Sequence, residues 1–140
     1  MLLGKYYHSL DAKNRLVIPS KLADELDGKL IIAPSVTEPC ILLYGEEAWR
    51  AYYNKVTSLP ASMVHEIARY LFSGAQQVVP DAQNRIAIPT NMITDAKIKH
   101  NIVTVGIGEY CEIWGEEVYN DMGIGKPPEN MLEILRSLGL

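Results

Sequence analysis

Ten residues of this chain are written twice. Asp11-Ala12-Lys13-Asn14-Arg15-Leu16-Val17-Ile18-Pro19-Ser20 returns as Asp81-Ala82-Gln83-Asn84-Arg85-Ile86-Ala87-Ile88-Pro89-Thr90, with six positions identical and an offset of 70, half of the 140 residues. The same offset carries Tyr44-Gly45-Glu46-Glu47-Ala48-Trp49 onto Trp114-Gly115-Glu116-Glu117-Val118-Tyr119. Two blocks in one register mark an internal duplication, which constrains the fold more than any single motif. The chain divides on this basis into a first repeat over 1–55, a connecting helix within 56–75, a second repeat over 76–122, and a linker with a C-terminal helix over 123–140.

Each repeat reads as short strands with added helices. Lys5 to Leu10 alternates and predicts a strand; Asp11 to Asn14 is a turn, because Asp accepts backbone N–H bonds and Asn tolerates positive φ. Arg15 to Ile18 alternates again, Leu16 and Ile18 facing one way and Arg15 and Val17 the other. Pro19 ends that strand, and Ser20 is a candidate N-cap for a helix over Lys21 to Leu26. Strands come next at Lys29 to Ala33 and Cys40 to Tyr44, then an acid-led helix from Glu46 to Tyr53. The second copy predicts strands at 76–79, 85–88, 102–105 and 110–114 and a helix from Glu116. Between the copies, Ala61 to Phe72 is a helix with Met63, Ile67, Tyr70 and Leu71 on one face and Gly74 as its C-cap. Beyond a Gly/Pro linker, Glu129 to Leu138 carries an apolar stripe of Leu132, Leu135 and Leu138 that needs a surface to lie on, in this subunit or another. The fold class is therefore mainly β with added helices, α+β.

Composition excludes several classes. No apolar run approaches the roughly 18 residues of a transmembrane helix, and the opening MLLGKYYHSL lacks the regions of a signal peptide, so a cytosolic protein without membrane attachment is expected. Cys40 and Cys111 form no zinc spacing and are expected to be free thiols. His8, His65 and His100 are too scattered to hold a metal, and no G-x-S-x-G, P-loop or dinucleotide fingerprint is present. Glu46-Glu47 and Glu116-Glu117 open helices, where acid suits the macrodipole. Trp49, Tyr52 and Tyr53 at helical spacing read as core. No catalytic constellation, cofactor or small-molecule substrate is expected.

Net charge is −4, but it is segregated. Residues 1–22 hold Lys5, Lys13, Arg15 and Lys21 against Asp11 alone, a balance of +3, which leaves −7 on the remainder. Local charge decides what docks. Within the repeated block, Asp11 with Arg15 and Asp81 with Arg85 are spaced to make a charge-assisted pair across a tight turn. Such a pair locks the hairpin, and it also pre-orients a guanidinium for phosphate or base edges. Lys13 stands at the tip of the first turn and Gln83 at the second, so the first copy is expected to dominate any anion binding.

Two D-x-x-x-R turns, each leading into a hydrophobic strand, Ile-Pro and a short helix, resemble the MraZ family of bacterial regulators, as does the opening Met-Leu-Leu-Gly-Lys-Tyr. The resemblance covers nearly the whole chain. It implies two AbrB-like swapped-hairpin β-barrel halves fused as a pseudo-dimer. It also implies a repressor of the division and cell-wall gene cluster that binds short direct repeats of double-stranded DNA near its own promoter, as a ring-shaped, octamer-type homo-oligomer in the nucleoid. Arg15, Arg85, Lys13, Asn14, Asn84 and Lys5 would then face DNA, with Asp11 and Asp81 supporting them. Asn14 and Asn84 stand where the family usually has Gly. The competing reading is an antitoxin-like AbrB-fold interaction module whose C-terminal helix wraps a protein partner.

Overall fold

The computed structural model describes residues 1–140. Eight strands and six helices succeed one another as β1 (Lys5–Ser9), β2 (Arg15–Val17), α1 (Ser20–Ala23), β3 (Leu30–Pro34), β4 (Ile41–Gly45), α2 (Glu46–Thr57), α3 (Ala61–Ser73), β5 (Gln76–Val78), β6 (Arg85–Ala87), α4 (Thr90–Asp95), β7 (Asn101–Gly106), β8 (Tyr110–Gly115), α5 (Glu116–Asp121) and α6 (Met131–Ser137). The expected strands are all present, shifted by a residue or two at their ends. The fold is mixed α+β with antiparallel sheets, arranged in two halves.

The halves do not sit side by side. Six strands pair in the order β1-β7-β8-β4-β3-β5, and β2 pairs with β6 as a separate two-stranded ribbon. The first strand of each copy therefore completes the sheet of the other: β1 lies on β7, and β5 on β3. Where the copies meet, the central position of each pairing faces its own counterpart, Leu16 with Ile86 in the ribbon and Leu42 with Glu112 at the centre of the large sheet. These two pairs lie on a pseudo-two-fold axis through the molecule.

Alternation then sorts the side chains into two layers. Leu30, Ile32, Ile41, Leu43, Ile102, Cys111 and Ile113 point from one sheet face into the main core. Leu16, Ile18, Ile86 and Ile88 close it from the ribbon side, with Leu22 of α1 and Met92 of α4. The opposite sheet face carries Tyr44 and Tyr110, stacked 4.9 Å apart, and the buried Trp114. Helices α2, α3 and α5 cover that face. The second repeated block has its structural meaning here. Tyr44 meets Trp49 edge-on at 5.2 Å and 70°, and their counterparts Trp114 and Tyr119 repeat the arrangement at 6.3 Å and 69° with the residue types exchanged.

Several expectations are corrected locally. Pro19 with φ −53° and ψ 135°, rather than Ser20, is the residue before α1, and that helix is a single turn rather than six residues. Helix α2 runs on to Thr57, and within its aromatic cluster Trp49 and Tyr52 are half-buried while Tyr53 is exposed. Tyr70 and Met63 of α3 point to solvent; the inward face is Val64, Ile67, Ala68, Leu71 and Phe72, because Phe72 packs on Trp49, Tyr52 and Tyr53 of α2 and sets the rotation. Gly74 closes α3 at φ −84°, without a left-handed turn. Helix α6 leaves Leu132, Ile134 and Leu138 exposed. No helix is long and apolar enough to cross a membrane.

Candidate nucleic-acid interface

The two repeated turns are built alike. The Asp11 carboxylate accepts the backbone N–H of Lys13 at 2.9 Å and of Arg15 at 2.8 Å on Oδ1, and Arg15 Nε at 2.6 Å on Oδ2. Asp81 does the same for Gln83, Arg85 and Arg85 Nε at 2.9, 2.9 and 2.8 Å. Main-chain bonds from Asn14 to the Asp11 carbonyl and from Asp11 to the Arg15 carbonyl close the loop, both at 3.0 Å. Asn14 and Asn84 take φ of 56° and 57°, the left-handed region their short polar side chains tolerate. The Arg15 and Arg85 N–H groups, with the guanidiniums behind them, hold both carboxyls below the usual carboxylate range.

Each aspartate takes the Nε of its arginine, and neither terminal nitrogen of either guanidinium has a hydrogen-bond partner in the chain. Guanidinium has five N–H donors in a planar fork, so four stay available on each side chain. The two forks share one surface. Leu16 and Ile86 are fully buried beneath the ribbon, which turns Arg15, Val17, Arg85 and Ala87 outward. Arg15 stands opposite Ala87, and Arg85 opposite Val17. The turns lie at the two ends of the ribbon, tied to it by bonds between copies: Ile18 N–H donates to the Asn84 carbonyl at 2.8 Å, and Ile88 N–H to the Asn14 carbonyl at 3.0 Å.

The ribbon thus brings Arg15, Arg85, Lys13, Asn14 and Asn84 together with Asp11 and Asp81. Lys13 is exposed at its turn, and Asn14 and Asn84 serve through backbone conformation and their carbonyls. Lys5 is not brought there. It pairs with Val105 on the helix-covered sheet face, its ammonium 5.5 Å from the Tyr119 ring. Strand parity decides this: Tyr6 packs on the main core, so Lys5 beside it must point to the other side. One buried polar contact had no sequence signal. His8 Nε2 lies 2.8 Å from the Oγ1 of fully buried Thr104, and burial lowers the imidazole pKa. These residues are 96 apart in the chain and meet only because β1 crosses to β7.

A family model described as "MraZ protein, putative antitoxin-like" matches residues 1–68 and 71–123, which takes in both turns, the ribbon and the whole large sheet. This chain belongs to the MraZ family. Its curated relatives match along most or all of the chain. The "Transcriptional regulator MraZ" of Clostridium tetani is 35% identical over 145 aligned positions, covering all of both chains. That of Syntrophomonas wolfei is 37% identical over 123, covering 86% of this chain and 85% of the relative. That of Clostridium acetobutylicum is 34% identical, covering 89% and 90%. The family is one of transcriptional regulators and not of enzymes. The family match ends at residue 123, so α6 lies outside it.

Proposed function

We propose that this chain is a sequence-specific DNA-binding repressor whose reading surface is the outward face of the β2–β6 ribbon. The observation that carries this is the pair of guanidinium forks, each anchored through Nε by its own aspartate and unpartnered at both terminal nitrogens. A two-stranded ribbon fits the major groove of B-DNA, and an arginine fork matches O6 and N7 of guanine. Asp11 and Asp81 remove the freedom the forks would otherwise lose on binding.

The finer reading rests on the family. The interleaved hairpins are of the AbrB-like swapped type. The chain represses a division and cell-wall gene cluster, binds short direct repeats near its own promoter, and works in the cytoplasm at the nucleoid. Its charge of −4 gives one subunit little attraction for phosphate beyond the ribbon. A ring-shaped homo-oligomer set against tandem sites overcomes this, because the second and later contacts become intramolecular. The exposed apolar side chains of α6 support assembly of this kind. Binding to three tandem sites should be far tighter than to one; equal affinity for both contradicts the multivalent part. The second reading, an antitoxin-like interaction module, is favoured by the same α6 and by the family description, and co-purification of a second small protein with the chain tests it.

A further inference from the structure

Gln83 leaves the second turn without the cation that Lys13 gives the first. The strand exchange supplies one from the other copy. Because Ile18 donates to Asn84, strand β2 leaves the ribbon beside the second turn, and because Ile88 donates to Asn14, strand β6 leaves it beside the first. Beyond β2 the chain passes through Pro19 and Ser20 to Lys21; beyond β6 it passes through Pro89 and Thr90 to Asn91. Counted by copy, the cations are lopsided. Counted by end of the ribbon, they balance: Lys13 and Arg15 at one end, Arg85 and Lys21 at the other.

Lys21 is exposed and has no ion-pair or hydrogen-bonding partner for its ammonium. It borders a groove of about 370 Å³ walled also by Tyr7, Val17 and Ser20. Val17 is the residue opposite Arg85, so the groove adjoins the arginine across one strand. No carboxylate lines it. Three other surface grooves each carry one or more, among them Glu46, Glu25 and Glu116. On a body of net −7 outside the first 22 residues, a groove with a free lysine and no acid is suited to an anionic chain. Lysine is a point charge with three donors, suited to a phosphate rather than to a base edge.

We propose that Lys21 is a phosphate-binding residue and that this groove seats the sugar–phosphate backbone of duplex DNA, matching at the second-turn end what Lys13 supplies at the first. The proposal rests on the ribbon being the DNA-binding face. Lys21 replaces the charge that Gln83 lacks, and the two ends of the ribbon bind backbone alike.

The test is the salt dependence of binding to a mixed-sequence duplex of about 40 base pairs, since phosphate contacts are independent of sequence and each contributes close to one unit of slope. The full chain is compared with Lys21→Ala, Lys21→Ala combined with Gln83→Lys, Arg15→Ala, and Lys29→Ala as an equal change of charge on the helix-covered side, with a thermal melt on each. Lys21→Ala should lower the slope by about one with an unchanged melt, Gln83→Lys should restore it, and Lys29→Ala should leave it as it was. An unchanged slope in Lys21→Ala, with Arg15→Ala still impaired, overturns the role of Lys21 and leaves the ribbon reading standing. A loss that Gln83→Lys does not recover overturns the matching of the two ends. No binding by the wild-type chain at low salt, or no effect of Arg15→Ala, removes the ribbon reading and this one with it.

Discussion

Leu16 lies directly opposite Ile86 in the ribbon, each paired with its own counterpart from the other copy, and both are almost wholly shielded from solvent. This contact joins the duplication to the function, because it closes the main core from below while turning Arg15 and Arg85 outward. It also makes the two copies one folding unit, since neither can complete its sheet or its ribbon alone.

Urea unfolding should therefore show a single transition for the whole of residues 1–123. Leu16→Ala and Ile86→Ala should each cost about 2–5 kcal/mol, the range for a fully buried aliphatic side chain. Two resolved transitions, with one mutation affecting only one of them, contradict the interleaved fold.

The turns should report on their backbone. Asn14 at φ 56° and Asn84 at φ 57° occupy positions that glycine also suits. Asn14→Gly should change stability by less than about 0.5 kcal/mol, while Asn14→Val should cost about 1–2 kcal/mol through left-handed strain. Equal stability of the two variants in denaturant titrations contradicts the assigned conformation.

Asp11 acts through Arg15, so Asp11→Ala should weaken DNA binding although every cation is retained and the net charge becomes less negative. A simple charge account predicts tighter binding. Fluorescence anisotropy with one duplex, wild type beside variant, distinguishes the two.

Acid should act at two points of opposite origin. Asp11 and Asp81 are held low, so their contribution is complete above the ordinary carboxylate range and is lost as pH falls through the depressed values. His8 is lowered by burial, so the unfolded chain takes up a proton first. Stability should fall as pH drops below about 6.5, until the folded imidazole protonates too. Urea melts between pH 7.5 and pH 5.5 should show this decline in the wild type and a weaker one in His8→Gln. A decline of the same size in both assigns it elsewhere.

Cys40 and Cys111 lie on opposite faces of the sheet, one against Trp114 and one in the main core, and burial pushes both thiols up to about 12. A thiol reagent at pH 8 should modify neither in the folded chain and both in urea. Rapid modification of either in the native state contradicts the packing described.

The ribbon is legible in the sequence because its signals are local. Asp, Asn and Arg within five residues define the turn, and alternation from Arg15 to Ile18 already assigns the inward and outward faces. The offset of 70 discloses two equivalent halves but not their exchange, because nothing within either copy states which sheet β1 or β5 will join. The expectation that the first copy dominates counts cations by copy, and the exchange that brings β2 out beside the second turn is not visible to such a count. Lys5 is misplaced for a similar reason. Charge in a segment is not charge on a face, and strand parity sends Lys5 to Tyr119. The rotation of α3 depends on Phe72 meeting the α2 aromatics, a contact between elements that periodicity within one helix does not reveal.

The most direct test of the central claim is to titrate a duplex spanning the DNA upstream of this chain's own gene with the wild type, Arg15→Ala, Arg85→Ala and the double variant, with a urea melt on each. The predicted result is that each single change weakens binding by about 1–3 kcal/mol, the double change abolishes specific binding, and all four proteins unfold alike. Undiminished binding by the double variant, or unfolding of the singles, would show that the repeated arginines serve the fold and not DNA.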